Sequence, residues 1–259
     1  MDARTPLAWF SCGEDAIPDG TEWLGARERQ RLASMRFTKR RTEYLLRRCV
    51  GKRAVALLLD LPSDPAGLAR VALLNAPGGA PYVEVDGVRP PLEVSLTDRA
   101  GQAVALVGPT GSMAQGALGI DLEIVEPRSP GFVSDFLTCS EQRWVRAEHA
   151  RAGDDGWNAA ANLLWSAKEA ALKVQRVGLR ADTRTVEVTA QPVTRTDGWG
   201  ALAIRSTSGE HFTGWWRRDG HYVLTLATRN DLPPPNSLPG SAALSEAVPT
   251  HSWLAQPLA

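Results

Sequence analysis

Alternation of apolar and polar residues predicts two groups of β-strands, one in each half of the chain. Apolar side chains recur at every second position over short stretches that end at Gly, Asp or Arg-rich turns. In the first half these stretches are 6–12, 71–75, 81–85, 92–97 and 102–107. In the second half they are 118–125, 186–189, 201–206, 212–217 and 221–228. The short turns between consecutive strands favour antiparallel pairing.

Apolar residues at helical spacing predict helices between these strands. The predicted helices are 21–35, 37–60, 131–137, 140–151 and 157–174. Thr21 and Ser140 are the expected N-caps, Pro62 ends the second helix, and the Gly153 to Gly156 segment forms a turn before the last. Each half therefore has a strand, a helical segment and several antiparallel strands. This order predicts an α+β fold of two similar halves, although no repeat is visible residue by residue.

Composition changes along the chain predict three regions. The boundaries are 1–113 for an N-terminal half, 114–230 for a C-terminal half, and 231–259 for a tail rich in Pro, Ser and Ala. We expect the tail to be extended and to cover part of the surface without adding a domain. A ligand is expected to bind between the two halves.

Overall charge and apolar content exclude several broad classes of function. Lys plus Arg number 29 and Asp plus Glu number 29 among 259 residues, so no net charge favours nucleic acid or a membrane surface. No apolar run approaches the roughly 20 residues of a membrane span, and the N-terminus lacks a signal-peptide pattern. The 3 cysteines have no metal-site spacing and are expected to be reduced. We therefore expect a cytoplasmic protein.

Basic residues are concentrated on the predicted helix 37–60. Arg40, Arg41 and Arg47 are the candidates in this cluster for holding a phosphate-rich ligand, because Arg binds phosphate through charge-assisted hydrogen bonds. The alternative is a solvated helix face without a ligand. The pattern alone leaves both interpretations open.

Acidic residues point to a second candidate site. Asp121 and Glu123 alternate with apolar residues on the strand 118–125, so both carboxylates leave one face. Two adjacent acids without His or Cys suit a hard cation such as Mg²⁺. On the helix 157–174, Trp165, Glu169 and Lys173 share one stripe at i, i+4 and i+8. Taken separately, the ordinary explanations are preferred: a solvated face for the strand, and a helix ion pair for Glu169 and Lys173.

Taken together, the two segments resemble the 4′-phosphopantetheinyl transferases of the longer, Sfp-type form. Family members carry a Gly-x-Asp-x-Glu strand and a Trp-x-x-Lys-Glu-(Ala/Ser)-x-x-Lys helix. The fixed positions are filled here by Gly119, Asp121, Glu123, Trp165, Lys168, Glu169, Ala170 and Lys173. Weaker similarity lies in Pro127-Arg128, in Gly79-Ala80-Pro81 and in the segment 94–97. The resemblance implies a monomeric fold with two α+β halves related by pseudo-twofold symmetry.

The resemblance also implies an activity and a set of site residues. Such an enzyme moves the 4′-phosphopantetheine arm of coenzyme A to a serine of an apo acyl or peptidyl carrier protein and releases 3′,5′-ADP. Its cofactor is Mg²⁺, which Asp121, Glu123 and Glu169 would hold. Glu169 and Lys173 would be catalytic. The residues implied for coenzyme A are Arg40, Arg41, Arg47, Ser95, Asp98, Lys168 and Lys173.

Two positions depart from the family pattern. Asp98 stands where members commonly carry a His that approaches a coenzyme A phosphate, and Ala80 stands where a basic residue is common. These departures leave two alternatives to a working transferase: a carrier-protein-binding relative without catalysis, and an unrelated Mg²⁺-dependent phosphohydrolase. The sequence does not indicate which carrier protein or biosynthetic pathway is served.

Overall fold

The computed structural model describes residues 6–110, 118–177 and 181–250. In the first half, strand β1 (Ala8–Gly13) is followed by three helices and four strands. These are α1 (Ala26–Ala33), α2 (Thr38–Leu58), α3 (Pro65–Arg70), β2 (Val71–Asn75), β3 (Pro81–Val85), β4 (Leu92–Arg99) and β5 (Gln102–Pro109). The predicted strands are all present, and the long predicted helix 37–60 corresponds to α2.

The second half repeats this order. It begins with β6 (Leu118–Ile124), continues through two helices and ends with four strands. These are α4 (Pro130–Phe136), α5 (Cys139–Gln175), β7 (Val186–Ala190), β8 (Gly200–Ser206), β9 (His211–Asp219) and β10 (Tyr222–Thr228). A short strand, β11 (Asn236–Ser237), lies in the region predicted to be an extended tail.

The strand order of the two sheets is also equivalent. The first sheet has the order β11-β1-β5-β4, with the β2–β3 hairpin lying against β4, and the second has the order β6-β10-β9-β8-β7. All pairings except that between β1 and β11 are antiparallel. Helix α2 packs on the first sheet and α5 on the second. The predicted α+β fold with antiparallel sheets is confirmed.

Helix α1 begins later than the sequence predicts. Its N-cap is Gly25 rather than Thr21, because the Glu28 carboxylate turns back and accepts the Gly25 N–H at 2.8 Å. This contact satisfies one of the donors that a helix N-terminus leaves unpaired. The residues from Thr21 to Gly25 form turns, so the N-cap prediction for this helix was wrong.

Helix α5 joins the two helices predicted over 140–151 and 157–174. It begins after Thr138, which caps it together with Glu141, so the predicted Ser140 cap was also wrong. The expected turn is a kink at Ala152 and Gly153, where Gly153 has a φ of 63°. The helix resumes beyond the kink and carries its second part across β6 and β10.

A buried charged network connects the helices and strands of the first half. The Glu28 carboxylate accepts the Leu73 N–H at 3.1 Å and lies 2.6 Å from the Lys52 ammonium, which also donates to the Trp23 carbonyl at 3.0 Å. The side chains of Glu28 and Lys52 are fully buried. A buried ion pair is tolerated when further hydrogen bonds satisfy both partners, as they do here.

The second half contains the same network. Glu141 accepts the N–H groups of Thr138 and Val188 at 2.7 and 2.8 Å. Its carboxylate lies 2.9 Å from the Lys168 ammonium, which donates to the Thr183 carbonyl at 2.9 Å. Each acid thus caps its helix and binds the next strand along the chain, and each lysine joins a helix to a loop. This is a repeat at the level of single residues, which the sequence analysis did not detect.

Residues 231–250 cross from the second half back to the first. Leu238 donates its N–H to the Trp9 carbonyl at 2.9 Å, and the Ser11 hydroxyl donates to the Ala242 carbonyl at 2.7 Å. Leu244 is 2% exposed and packs in the apolar seam between the halves. This stretch covers the outer edge of β1. No helix in the described parts of the chain has the length and apolar composition to cross a membrane.

Candidate active site

A cleft of about 1590 Å³ lies between α2 and β2–β4 of the first half and the C-terminal end of α5. Its described lining carries seven cationic side chains: Arg27, Arg31, Arg47, Arg48, Arg89, Lys173 and Arg176. Glu93 is the single acidic residue in that described lining. The imbalance gives the cleft a positive potential that favours a polyanionic ligand.

Only one of the three basic candidates on α2 faces this cleft. Arg47 lines it, whereas Arg40 is exposed and is not part of the described lining. The Arg41 guanidinium instead donates to the Leu32 carbonyl at 2.8 Å, at the C-terminal end of α1. Successive residues of a helix point in different directions, which explains why a cluster in sequence is divided in space. The cleft is lined instead by arginines that the sequence analysis did not select, namely Arg31, Arg48 and Arg176.

Asp98 forms an ion pair with Arg47. The Asp98 side chain is 13% exposed and is absent from the described cleft lining, whereas the Arg47 side chain is 35% exposed and lines it. The acid therefore fixes the orientation of a cleft arginine.

Ser95 lines the cleft at the junction of the halves. Its side chain accepts the Ile120 N–H at 3.1 Å, and the residue is buried. Its hydroxyl thus already serves a structural contact between β4 and β6. Among the described residues no acceptor takes the hydroxyl proton, so it is available to a second partner.

Asp121 is held on β6 by two side chains that reach it from different elements. Its Oδ1 accepts from Lys173 Nζ at 2.8 Å and from the Thr97 hydroxyl at 3.3 Å. Gly119 lets α5 pack closely against β6 and so brings Lys173 near Asp121, because a side chain at position 119 would collide with the Ala170 carbonyl of α5. Among the described residues, Asp121 Oδ2 is buried without a hydrogen-bond partner. A buried carboxylate oxygen without a donor is costly, and a bound cation would remove that cost.

Glu169 lies close enough to Asp121 to interact with its charge. Burial and the neighbouring Asp121 carboxylate raise the pKa of Glu169 to about 7, and Lys173 only partly opposes this shift. A carboxyl group with this pKa exchanges a proton readily near neutral pH.

Glu123 has a different environment on the same strand. Its carboxylate lies 3.0 Å from Arg99 Nε and 3.5 Å from Arg128 Nη2, and it accepts from Trp165 Nε1 at 3.1 Å. Burial and Asp121 raise the pKa of Glu123 to about 7 although both arginines act in the opposite direction. Its oxygens are engaged by protein donors, unlike Oδ2 of Asp121.

The arrangement fits a divalent cation at two of the three predicted ligands. Carboxylate oxygens are the ligands that Mg²⁺ prefers, and Asp121 and Glu169 supply two of them. Glu123 would have to leave Arg99 and Arg128 to join them. Within the described residues no group of three His, Cys, Asp or Glu side chains converges as a metal site. The predicted three-carboxylate set is therefore not assembled in this arrangement.

Lys168 lies away from the cleft, contrary to its predicted contact with coenzyme A. It is fully buried, and its ammonium bonds to Glu141 and to the carbonyls of Thr183 and Val186. An ammonium has three donors, so these partners leave none for a phosphate. The coenzyme A prediction for Lys168 is corrected to a role in the fold. Trp165 packs edge-on against Phe132 and Phe136.

The sequence analysis proposed Ser95 on β4 as a site residue but missed Thr97 and Arg99 on the same strand. Thr97 contacts Asp121, and Arg99 contacts Glu123. A sequence pattern could have indicated them: Ser95, Thr97 and Arg99 occupy every second position, which places three polar side chains on one face of a strand. In a soluble protein this pattern is usually read as a solvated face, so it did not indicate a buried contact.

Comparison with known proteins supports the resemblance of the second half. A family model described as the 4′-phosphopantetheinyl transferase superfamily matches residues 117–227. No curated protein matches the chain significantly. Among solved structures, the chain is similar to a holo-(acyl-carrier-protein) synthase from Bacillus anthracis str. Ames in complex with CoA (3′,5′-ADP). The identity is 15%, the match covers 42% of this chain and 98% of the other, and the TM-score is 0.35, which is too low to add to the assignment.

Proposed function

We propose that this protein transfers the 4′-phosphopantetheine arm of coenzyme A to a serine of an apo acyl or peptidyl carrier protein and releases 3′,5′-ADP. The observation that carries the proposal is the position of Lys173. This residue lines the positively charged cleft and also binds Asp121, so it joins a place for phosphates to a cluster of carboxylates. The family match over residues 117–227 supports the same reaction.

The cleft provides the binding site for coenzyme A in this proposal. Arg47, oriented by Asp98, and Arg48 lie on the first-half wall, and Lys173 and Arg176 lie on the opposite wall. The several phosphates of coenzyme A require several cations, which the two walls supply together. Ser95 contributes a hydroxyl at the base of the same cleft.

Asp121 and Glu169 are the residues that would hold Mg²⁺ in this site. When bound, the ion would neutralise charge on the pyrophosphate and on the leaving group. Lys173 occupies one oxygen of Asp121, and the other oxygen, which is buried without a donor among the described residues, is available to a cation. Glu123 stays on Arg99 and Arg128, and we assign it to holding the acidic strand in place.

Glu169 is also the proposed acceptor of the serine proton. The serine oxygen forms a bond to the β-phosphorus of coenzyme A, and the bond from that phosphorus to the bridging oxygen breaks with its electron pair leaving on 3′,5′-ADP. The hydroxyl proton passes to Glu169, the carboxylate that lies beside Asp121 and Lys173. Lys173 provides a fixed positive charge beside the reacting phosphate.

The direct test is the mass of an apo carrier protein after incubation with coenzyme A, Mg²⁺ and this protein. A gain equal to one phosphopantetheine group, together with release of 3′,5′-ADP, is the expected result. No gain with carriers from fatty acid, polyketide and peptide assembly would contradict the proposal.

Two alternatives give different results in that experiment. A carrier-binding relative without catalysis would bind the carrier and leave its mass unchanged. This alternative was raised because Asp98 stands where the family commonly has a His. The ion pair with Arg47 neutralises Asp98, so it does not present an unpaired negative charge to the cleft. A phosphohydrolase would cleave coenzyme A without any carrier, so the carrier-free control distinguishes it from a transferase.

A further inference from the structure

Strands β4 and β6 run beside each other at the junction of the two halves, although they belong to different sheets. Side chains of β4 make the connection. Ser95 Oγ accepts the Ile120 N–H and Thr97 Oγ1 accepts the Leu122 N–H, both at 3.1 Å. The two hydroxyls thus satisfy main-chain donors of β6 that a neighbouring strand's carbonyls would otherwise satisfy. We call Ser95 and Thr97 the hydroxyl rungs.

The two hydroxyl rungs differ in one respect. Thr97 also donates its proton to Asp121 Oδ1 at 3.3 Å, whereas among the described residues the Ser95 side chain bonds to the main chain. A hydroxyl accepts one bond and donates another, so Thr97 uses both capacities at once. Together with Lys173, it holds Oδ1 from two directions and restricts rotation of the carboxylate.

This restriction has a consequence for the other oxygen of Asp121. With Oδ1 engaged, Oδ2 is fixed in a buried position without a donor among the described residues. A ligand oxygen held in advance binds a cation more tightly than one that must be ordered on binding. Thr97 belongs to the first half and Asp121 to the second, so the contact also couples metal binding to the alignment of the halves.

We propose that Thr97 is a positioning residue for the transfer reaction, and that it presents Asp121 Oδ2 to the divalent cation. This inference rests on the proposed function. Ser95 aligns the same two strands without touching a carboxylate, which makes it the matched control. Thr97→Val removes the hydroxyl at nearly constant volume, and Thr97→Ser keeps it.

The experiment measures Mn²⁺ binding to each full-length variant by calorimetry, without coenzyme A or carrier. Partners that orient metal ligands typically change metal affinity by about 10–100-fold when removed. We expect Thr97→Val to weaken Mn²⁺ binding about 10-fold, and Thr97→Ser and Ser95→Ala to stay within about 2-fold of wild type. At saturating Mg²⁺ the coenzyme A KM should be unchanged in Thr97→Val, because the effect falls on the affinity for the metal.

Four outcomes would overturn the inference. Wild-type Mn²⁺ affinity in a folded Thr97→Val protein would show that Thr97 does not position Asp121. An equal loss of Mn²⁺ affinity in Ser95→Ala would show that Thr97 acts only by aligning the two strands. If wild type modifies a carrier but binds no Mn²⁺, the inference fails while the transferase proposal stands. If wild type does neither, both fail. Should Thr97→Val unfold, Thr97→Ala removes the same hydroxyl and gives the same comparison.

Discussion

The two oxygens of the Asp121 carboxylate have different environments, and this difference organises the acidic cluster. Oδ1 is bound by Lys173 and Thr97, whereas Oδ2 is buried without a donor among the described residues. Two residues along the strand, Glu123 is surrounded by the donors of Arg99, Arg128 and Trp165. Acids that look equivalent in sequence therefore have different capacities to bind a cation.

The first prediction compares Glu169 with Glu123. Glu169→Gln should lower kcat by about 10²–10³-fold, because the residue would lose both a metal oxygen and the proton acceptor. Glu123→Gln should lower kcat by less than about 10-fold, because an amide oxygen still accepts from the arginines. Rates of carrier modification at saturating substrates measure both variants, with thermal unfolding as the control for folding. An equal loss of kcat in the two variants would indicate that Glu123 is also a metal ligand.

A second prediction concerns the Asp98–Arg47 pair. Asp98→Asn should raise the KM for coenzyme A by about 5–10-fold with little change in kcat, because Arg47 loses the charge that orients it for binding. Asp86→Asn is the matched control, since Asp86 forms a similar pair with Arg70 on an exposed surface outside the described cleft lining.

Dephospho-coenzyme A identifies which end of the ligand Arg47 holds. If it holds the 3′-phosphate, Asp98→Asn should change the KM of dephospho-coenzyme A much less than that of coenzyme A. Unchanged KM values for both compounds would show that the oriented arginine does not serve the ligand.

At the scale of helices and strands, hydrophobic periodicity predicted most elements but not their ends. All ten long strands and the helix α2 were expected, because period-2 and helical patterns are properties of single segments. The start of α1 was not, since Gly25 caps it through Glu28, a residue whose carboxylate also binds Leu73 far along the chain. The same limit applies to the site: the sequence proposed Arg40, Arg41 and Lys168 for coenzyme A, but they lie outside the described cleft lining because residue type does not reveal the direction of a side chain.

The third prediction concerns the duplicated buried network. Glu28→Gln and Glu141→Gln should each lower the free energy of unfolding by roughly 3 kcal/mol, because each leaves a buried lysine without its counter-charge. Urea denaturation measures both. Glu148→Gln is the control, because Glu148 pairs with the exposed Arg151 and should change stability by less than about 0.5 kcal/mol. A small effect at Glu28 or Glu141 would indicate that the neighbouring hydrogen bonds alone hold the network.

For the whole molecule, the seam between the halves is closed by residues 231–250 as well as by the sheets. Leu244 fills a position in the core that both halves share, and the same stretch satisfies donors and acceptors at the edge of β1. The sequence predicted an extended tail from its composition. The partner of that tail depends on long-range contacts, which composition does not encode.

The fourth prediction tests this closure. Leu244→Ala should destabilise the protein by about 2–4 kcal/mol through the cavity that it leaves. Val248→Ala should cost less than about 0.5 kcal/mol, because Val248 is 70% exposed. Chemical denaturation of the two variants gives the comparison, and a similar small cost at both positions would show that the stretch packs loosely.

The paired networks around Lys52 and Lys168 also provide a way to align the two halves with each other. They mark matching points on α2 and α5, so Arg53 corresponds to Glu169, and Cys49 corresponds to Trp165. At these matching positions the second half has Glu169 and Trp165, whereas the first half has Arg53 and Cys49. The halves share one framework but place different side chains on it, so the cleft between them is not symmetric. A ligand with unlike ends therefore has one productive way to enter it.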